Sequence, residues 1–197
     1  KDLNGGYGTA NDYGDSWFSK LLKLYVRKAI NFPTLFSVQV CGELNALGHD
    51  VEFKNHSSNI NYDTYDLILV PSSIVCHETE LEVIKVLSKQ KKILVIGPFG
   101  STNPENYIIS GAAVLKGEPE NFFHKINLSE FINNFKVKII ENNKAVPLDD
   151  LSLPGWETIF KNFTPVMKFL GKGPAINLYA SKGCPYSCFY YCVYPMQ

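Results

Sequence analysis

The chain has 197 residues, 45% of them hydrophobic, and Lys+Arg equals Asp+Glu, so its formal net charge is zero. That length supports one good core, or one domain and part of another. The even balance speaks against a nucleic-acid binder, which usually carries a basic excess, and no apolar run has the length of a bilayer span.

The opening "KDLNGGYGTANDYGDSW" is rich in Gly, Asn and Asp and reads as a loop, with "DL" as the end of a strand whose body would precede Lys1. "SKLLKLYVRKAI" has helical spacing of its apolar residues. "FPTLFSVQVCGELNALGHD" reads as a second helix, with Pro33 in its first turn and Gly48 as its C-terminal cap. "VEFK" reads as a short strand. "YDLILVPSS" is a continuous apolar run ending in Pro and two serines, the pattern of a buried parallel strand. "ETELEVIKVLSKQ" follows as an amphipathic helix with Leu81, Ile84, Val86 and Leu87 near one face. "KKILVIGPFGS" is a further buried strand ending in a Gly–Pro loop. "PENYIIS" is a short helix, "AAVLKGEPE" a strand and turn, and "ENFFHKI" the start of another helix.

Strands alternating with helices over short connections predict an α/β fold with a parallel sheet. Ligands of such sheets bind at the carboxyl ends of the strands. Those ends here are "DLNGG", "VPSS", "GPFGS" and "KGEPE", all small and polar, although short turns need the same residues for their geometry. From about Leu128 the pattern weakens. "KVKIIENNKAV" reads as a hairpin turning at Glu141, Asn142 and Asn143. "PLDDLSLPGWETIF" reads as an ordered connector docked by Leu151, Leu153 and Trp156, and "PAINLYAS" as a new strand.

The cysteines are unevenly placed. Cys41 and Cys76 stand alone in apolar surroundings and read as small buried hydrophobes. Cys184, Cys188 and Cys192 crowd the sequence "ASKGCPYSCFYYCVYP" directly after the last strand. Three neighbouring cysteines cannot all pair with one another, so a disulfide reading is poor. Structural zinc wants four Cys or His ligands, and His124, the nearest histidine in sequence, belongs to another element. Three thiolates and one open iron position suit an iron–sulfur cluster. Spacing alone ranks the cluster first, zinc second and structural cysteines third. With no signal peptide visible, a reducing, cytoplasmic location is expected.

The cysteine loop after "AINLY" resembles the signature of radical S-adenosylmethionine (SAM) enzymes, with C-x3-C-x3-C where C-x3-C-x2-C is commonest. Upstream, "DLNGGYGTA", "GELNALGHDVEF", "YDLILVPSS", "KILVIGPFGS", "GAAVLKGEPE" and "LDDLSLPGWE" resemble, in this order, the N-terminal half of radical SAM proteins that carry a cobalamin-binding domain. The resemblance implies a Rossmann-like, flavodoxin-like parallel-sheet domain over 1–127 with its first strand largely missing. A linker over 128–173 and the first strand of a truncated (β/α) barrel over 174–197 would follow. It implies a 4Fe-4S cluster on Cys184, Cys188 and Cys192, SAM on the open iron, and Tyr191 near the adenine. Cobalamin would lie against Asn4, Gly5, Gly6, Ser72, Ser73, Gly97, Pro98, Gly100, Gly117 and Glu118. Asn4 stands where a cobalt-ligating His occurs in related cobalamin domains, so no such ligand is expected from that loop. His49 and His124 are expected at the surface or in packing, and His77 at a helix entry. The implied activity is radical methyl transfer or rearrangement on an unreactive carbon of a small-molecule or natural-product substrate, fed by an electron donor such as flavodoxin or ferredoxin. The fragment alone would be inactive, because most of the barrel is missing. The alternative is a degenerate α/β domain that binds no cobalamin and serves as a packing module.

Overall fold

The computed structural model describes residues 16–21, 30–31, 33–54, 60–74, 76–162, 166–167, 176–178 and 180–181. Its centre is a four-stranded sheet of β1 (Ile68–Pro71), β2 (Ile93–Ile96), β3 (Ala113–Lys116) and β4 (Ile139–Glu141), paired in that order and parallel throughout. The chain is therefore α/β. Parallel neighbours need a crossover between them. Helix α2 (His77–Leu87) supplies the first. Helices α3 (Pro98–Thr102) and α4 (Pro104–Ile109) share the second, and α5 (Pro119–Phe123) and α6 (Leu128–Asn133) the third. Helix α1 (Leu35–Ala46) precedes the sheet, and α7 (Trp156–Asn162) follows the connector.

Side-chain alternation along β2 sorts the core into two layers. Leu94 and Ile96 meet Val40 and Leu44 of α1, Phe123 of α5 and Leu128 of α6 on one face. Ile93 and Val95 meet Ile84 of α2 and Tyr107 of α4 on the other. All four β2 residues are buried, which is why the run is apolar without interruption. Strand β1, at the sheet edge, is only half-buried along its length.

Helix α1 has little exposed face of its own, since Ser37 through Leu44 are all buried. Val40 and Leu44 face the sheet, while Val38 and Cys41 pack with Trp156 and Ile159 of α7 in a third cluster. After α1 the Gly48 N–H reaches the Asn45 carbonyl at 2.9 Å and the His49 N–H reaches Leu44 at 3.1 Å, which caps the helix as expected. Pro33 lies just outside the helix, whose N-cap is Thr34.

Several expectations change. Residues 51–54 form no strand, and Val51 and Phe53 serve as packing side chains. The Gly–Pro loop after β2 opens directly into α3, because Pro98 at N1 is preset for a helix. Val86 is 68% exposed, so the buried side of α2 is carried by Ile84, with Leu81 and Leu87 partly covered. The hairpin expected around 141–143 is absent: Ile139–Glu141 pairs parallel with Val114–Lys116 and extends the sheet past residue 127. Ile30, read as the last residue of a helix, lies in a short strand, Ile30–Asn31, that pairs antiparallel with Val166–Met167. The strand expected over "PAINLYAS" is absent from its described residues, 176–178 and 180–181. No helix among the described residues is long and apolar enough to cross a membrane.

Candidate functional site

The expected ligand residues divide into two groups. Asn4, Gly5, Gly6, Cys184, Cys188, Tyr191 and Cys192 lie outside the described residues. Ser72, Ser73, Gly97, Pro98, Gly100, Gly117 and Glu118 gather at the carboxyl ends of β1, β2 and β3, where an α/β sheet takes its ligands.

Within that group the polar atoms serve the protein itself. The buried Ser72 hydroxyl donates to the Ile96 carbonyl at 3.0 Å and accepts from the Gly100 N–H at 2.7 Å, bracing β1 against α3. The Ser73 N–H donates to Glu80 Oε1 at 3.0 Å. Ser101 Oγ, also buried, lies 3.0 Å from the Gly97 carbonyl and 3.4 Å from the Gly117 N–H. The Glu118 carbonyl accepts from Asn142 Nδ2 at 3.0 Å.

The glycines are needed by neighbouring protein atoms. Gly97 has φ +103°, a conformation that side chains resist, and a Cβ there would stand 2.8 Å from the Phe36 ring. Gly117, at φ +97°, would drive a Cβ into the Asn142 carbonyl oxygen. Gly100 leaves room for Val95 and Ser72. Phe36 and Asn142 therefore occupy the sides of Gly97 and Gly117 on which a Cβ would lie, so packing within the protein accounts for both glycines.

Beneath the same strand ends lies a buried acid that the apolar pattern hides. Glu80 projects from the first turn of α2. Its Oε2 accepts from the Tyr107 hydroxyl at 2.6 Å, and its Oε1 accepts from Ser73. Burial pushes its carboxyl up to about 7, against the pull of these two donors. The same burial, and then the carboxylate partner, raises the Tyr107 phenol. His77 begins α2 with Nδ1 2.8 Å from the Ile74 carbonyl and its ring 5.2 Å from that of Phe99, a helix-entry role as expected. Cys76 and Cys41 are buried, and burial pushes the Cys41 thiol up to about 12. An acid at the fourth position of a helix whose N-cap is a Cys in apolar surroundings is the one sequence sign that could have marked Glu80 as inward-facing.

The connector docks where expected, with one exception. Trp156 is buried and Leu151 half-buried, but Leu153 is 88% exposed. What holds this stretch is its backbone. The Gly155 N–H donates to the Val38 carbonyl at 2.9 Å, and a Cβ on Gly42 would strike the Leu153 carbonyl oxygen. Glu43 and His124 join in, and His124 is buried in this contact rather than at the surface.

Among the described residues, no group of three or more His, Cys, Asp and Glu side chains is placed to hold a metal ion. The chain matches no family model, no curated protein and no solved structure.

Proposed function

We propose that the chain is the N-terminal part of a radical SAM enzyme, in which Cys184, Cys188 and Cys192 hold a 4Fe-4S cluster and Tyr191 lies by the adenine of SAM. The observation that carries this reading is the cysteine triplet that follows "AINLYASKG", downstream of a parallel α/β unit and a docked "LDDLSLPGWE" connector. Thiolates are the usual protein ligands of such clusters, and three of them leave one iron open. SAM bound at that iron supplies radical chemistry at an unreactive carbon. The chain's part is to present the thiolates and exclude water and oxygen. Substrate, a small molecule or natural product, and an electron donor such as flavodoxin or ferredoxin would be partners of the whole enzyme.

For the α/β unit, a packing module is favoured over a cobalamin site. Phe36 over Gly97, Asn142 over Gly117 and the internally bonded Ser72 hydroxyl support it. Anaerobic reconstitution should give iron and sulfide in the ratio of a single 4Fe-4S cluster. A Cys184→Ala/Cys188→Ala/Cys192→Ala variant that retained as much cluster would refute the enzyme reading. Titration with hydroxocobalamin, followed by its visible spectrum, should leave the spectrum unchanged. A saturable shift would restore the cobalamin reading.

A further inference from the structure

The first described helical turn, over residues 16–21, shows its apolar side to water. Trp17, Phe18 and Leu21 are 73%, 62% and 55% exposed, while Ser19 is buried. A helix packed on a core does the reverse, burying its apolar stripe and leaving the polar residues outside. The turn is closed at its start by Ser16, whose Oγ accepts from the Ser19 N–H at 3.1 Å and whose carbonyl accepts from the Lys20 N–H at 3.0 Å. The Trp17 and Phe18 rings stand edge to face with centroids 6.0 Å apart. Leu21 lies one turn on, at i+4 from Trp17 and i+3 from Phe18, so the three side chains form one patch. Lys20 is exposed beside it.

The sequence around the patch adds charge of one sign. From Ser16 to Ile30 it carries Lys20, Lys23, Arg27 and Lys28 and no acid, in a chain whose total charge is zero. Lys20, Lys23 and Arg27 are spaced to share the side of a helix opposite the apolar positions. Residues 22–29 lie outside the described residues, so the surface itself is defined by Trp17, Phe18, Lys20 and Leu21.

We propose that this turn docks the chain on an anionic lipid surface, with Trp17, Phe18 and Leu21 in the interfacial layer and Lys20 among the headgroups. This goes beyond the enzyme reading and stands without it. Aromatic side chains suit the boundary between headgroups and acyl chains. Leu21 adds apolar area to the same side. Cations near anionic headgroups add attraction that needs no fixed partner. A groove in a protein would have to set an acid against each cation, whereas a headgroup layer offers negative charge everywhere. A turn of this length lies on a bilayer and does not cross it.

Co-sedimentation of the whole chain with phosphatidylcholine vesicles, with and without about 30% phosphatidylserine, tests this. Binding should be roughly tenfold stronger to the anionic vesicles and should be lost in about 0.5 M salt. Tryptophan emission should move to shorter wavelength on binding, and Trp17 is the reporter because Trp156 is already buried. Trp17→Ser/Phe18→Ser, at two exposed positions, should weaken binding at least about tenfold and abolish the shift. Lys20→Glu should weaken binding roughly tenfold and keep Trp17 in place as a check on folding. Equal binding to both vesicle types, or full binding by the folded double variant, overturns the proposal. No binding to anionic vesicles also overturns it and assigns the face to a protein partner. A dimer in lipid-free solution that the double variant abolishes overturns it in favour of a second copy of the chain.

Discussion

Two buried acid sites lie on opposite faces of one sheet and use the same chemistry for different ends. Glu80 joins neighbours: Ser73 is seven residues away and Tyr107 twenty-seven, so it staples β1, α2 and α4 within one stretch of chain. Glu43 joins strangers, with His124 eighty-one residues away and Ser152 one hundred and nine. The first site stiffens a crossover. The second ties the connector to α1 and to the end of α5. A buried carboxylate is costly unless its oxygens are matched, and the chain sets that cost against order at the two places where loops must be held.

The contrast can be broken at its strongest point first. Glu43→Ala strips the acceptor from Ser152 and His124 together and should cost about 4 kcal/mol in chemical denaturation. A loss no larger than that of an exposed acid would mean that the connector is held by packing alone.

Changing pH acts next. The folded chain keeps the Glu120 proton to about 7, against 4.5 ordinarily. Between those values the unfolded chain has released a proton that the folded chain still holds, so rising pH favours unfolding. Stability should be full below about pH 4.5 and lower by about 3 kcal/mol once pH passes 7. Glu80 adds to the same trend, since burial raises it as well. Denaturation midpoints across this range should therefore decline in the wild type and decline less in Glu120→Gln. A flat wild-type profile would contradict the burial of both acids.

The smallest change separates the sites. Tyr107→Phe removes only the hydroxyl that donates to Glu80 and should cost about 2 kcal/mol. It should leave the Ser152 amide as protected as in the wild type. If Ser152 exchange rises with it, the two faces are coupled through the sheet and the sites do not act separately.

The parallel sheet was legible wherever a strand is buried on both faces. "ILVI" and the "AVL" of Ala113–Leu115 are apolar because these residues are fully enclosed. Legibility failed where an apolar pattern does not name its partner. "VEFK" alternates like a strand, but Val51 and Phe53 spend their side chains on the clusters around α1. "KIIENN" looks like half a hairpin, yet Asn142 N–H bonds the Lys116 carbonyl at 3.0 Å and draws the strand parallel beside β3. The strand ends were located by their Gly, Pro and Ser content. Composition could not tell whether the space beside Gly97 is kept for a ligand or for Phe36. Glu43 was invisible for a related reason: an acid looks solvent-exposed until its partners, here Ser152 and His124 far along the chain, are known. The cysteine triplet is the reverse case: its reading rests on sequence alone, because Cys184, Cys188 and Cys192 lie outside the described residues.

Helix α1 is covered on one side by the sheet and on the other by α7. A helix enclosed in this way makes the α/β unit and its connector a single inheritable block. Recombination that joined this unit to a new neighbour between β4 and the connector would leave Val38 and Cys41 without their cover of Trp156 and Ile159. Viable exchange points must therefore avoid the span from Leu35 to Asn162, and also keep the paired Ile30–Asn31 and Val166–Met167 together.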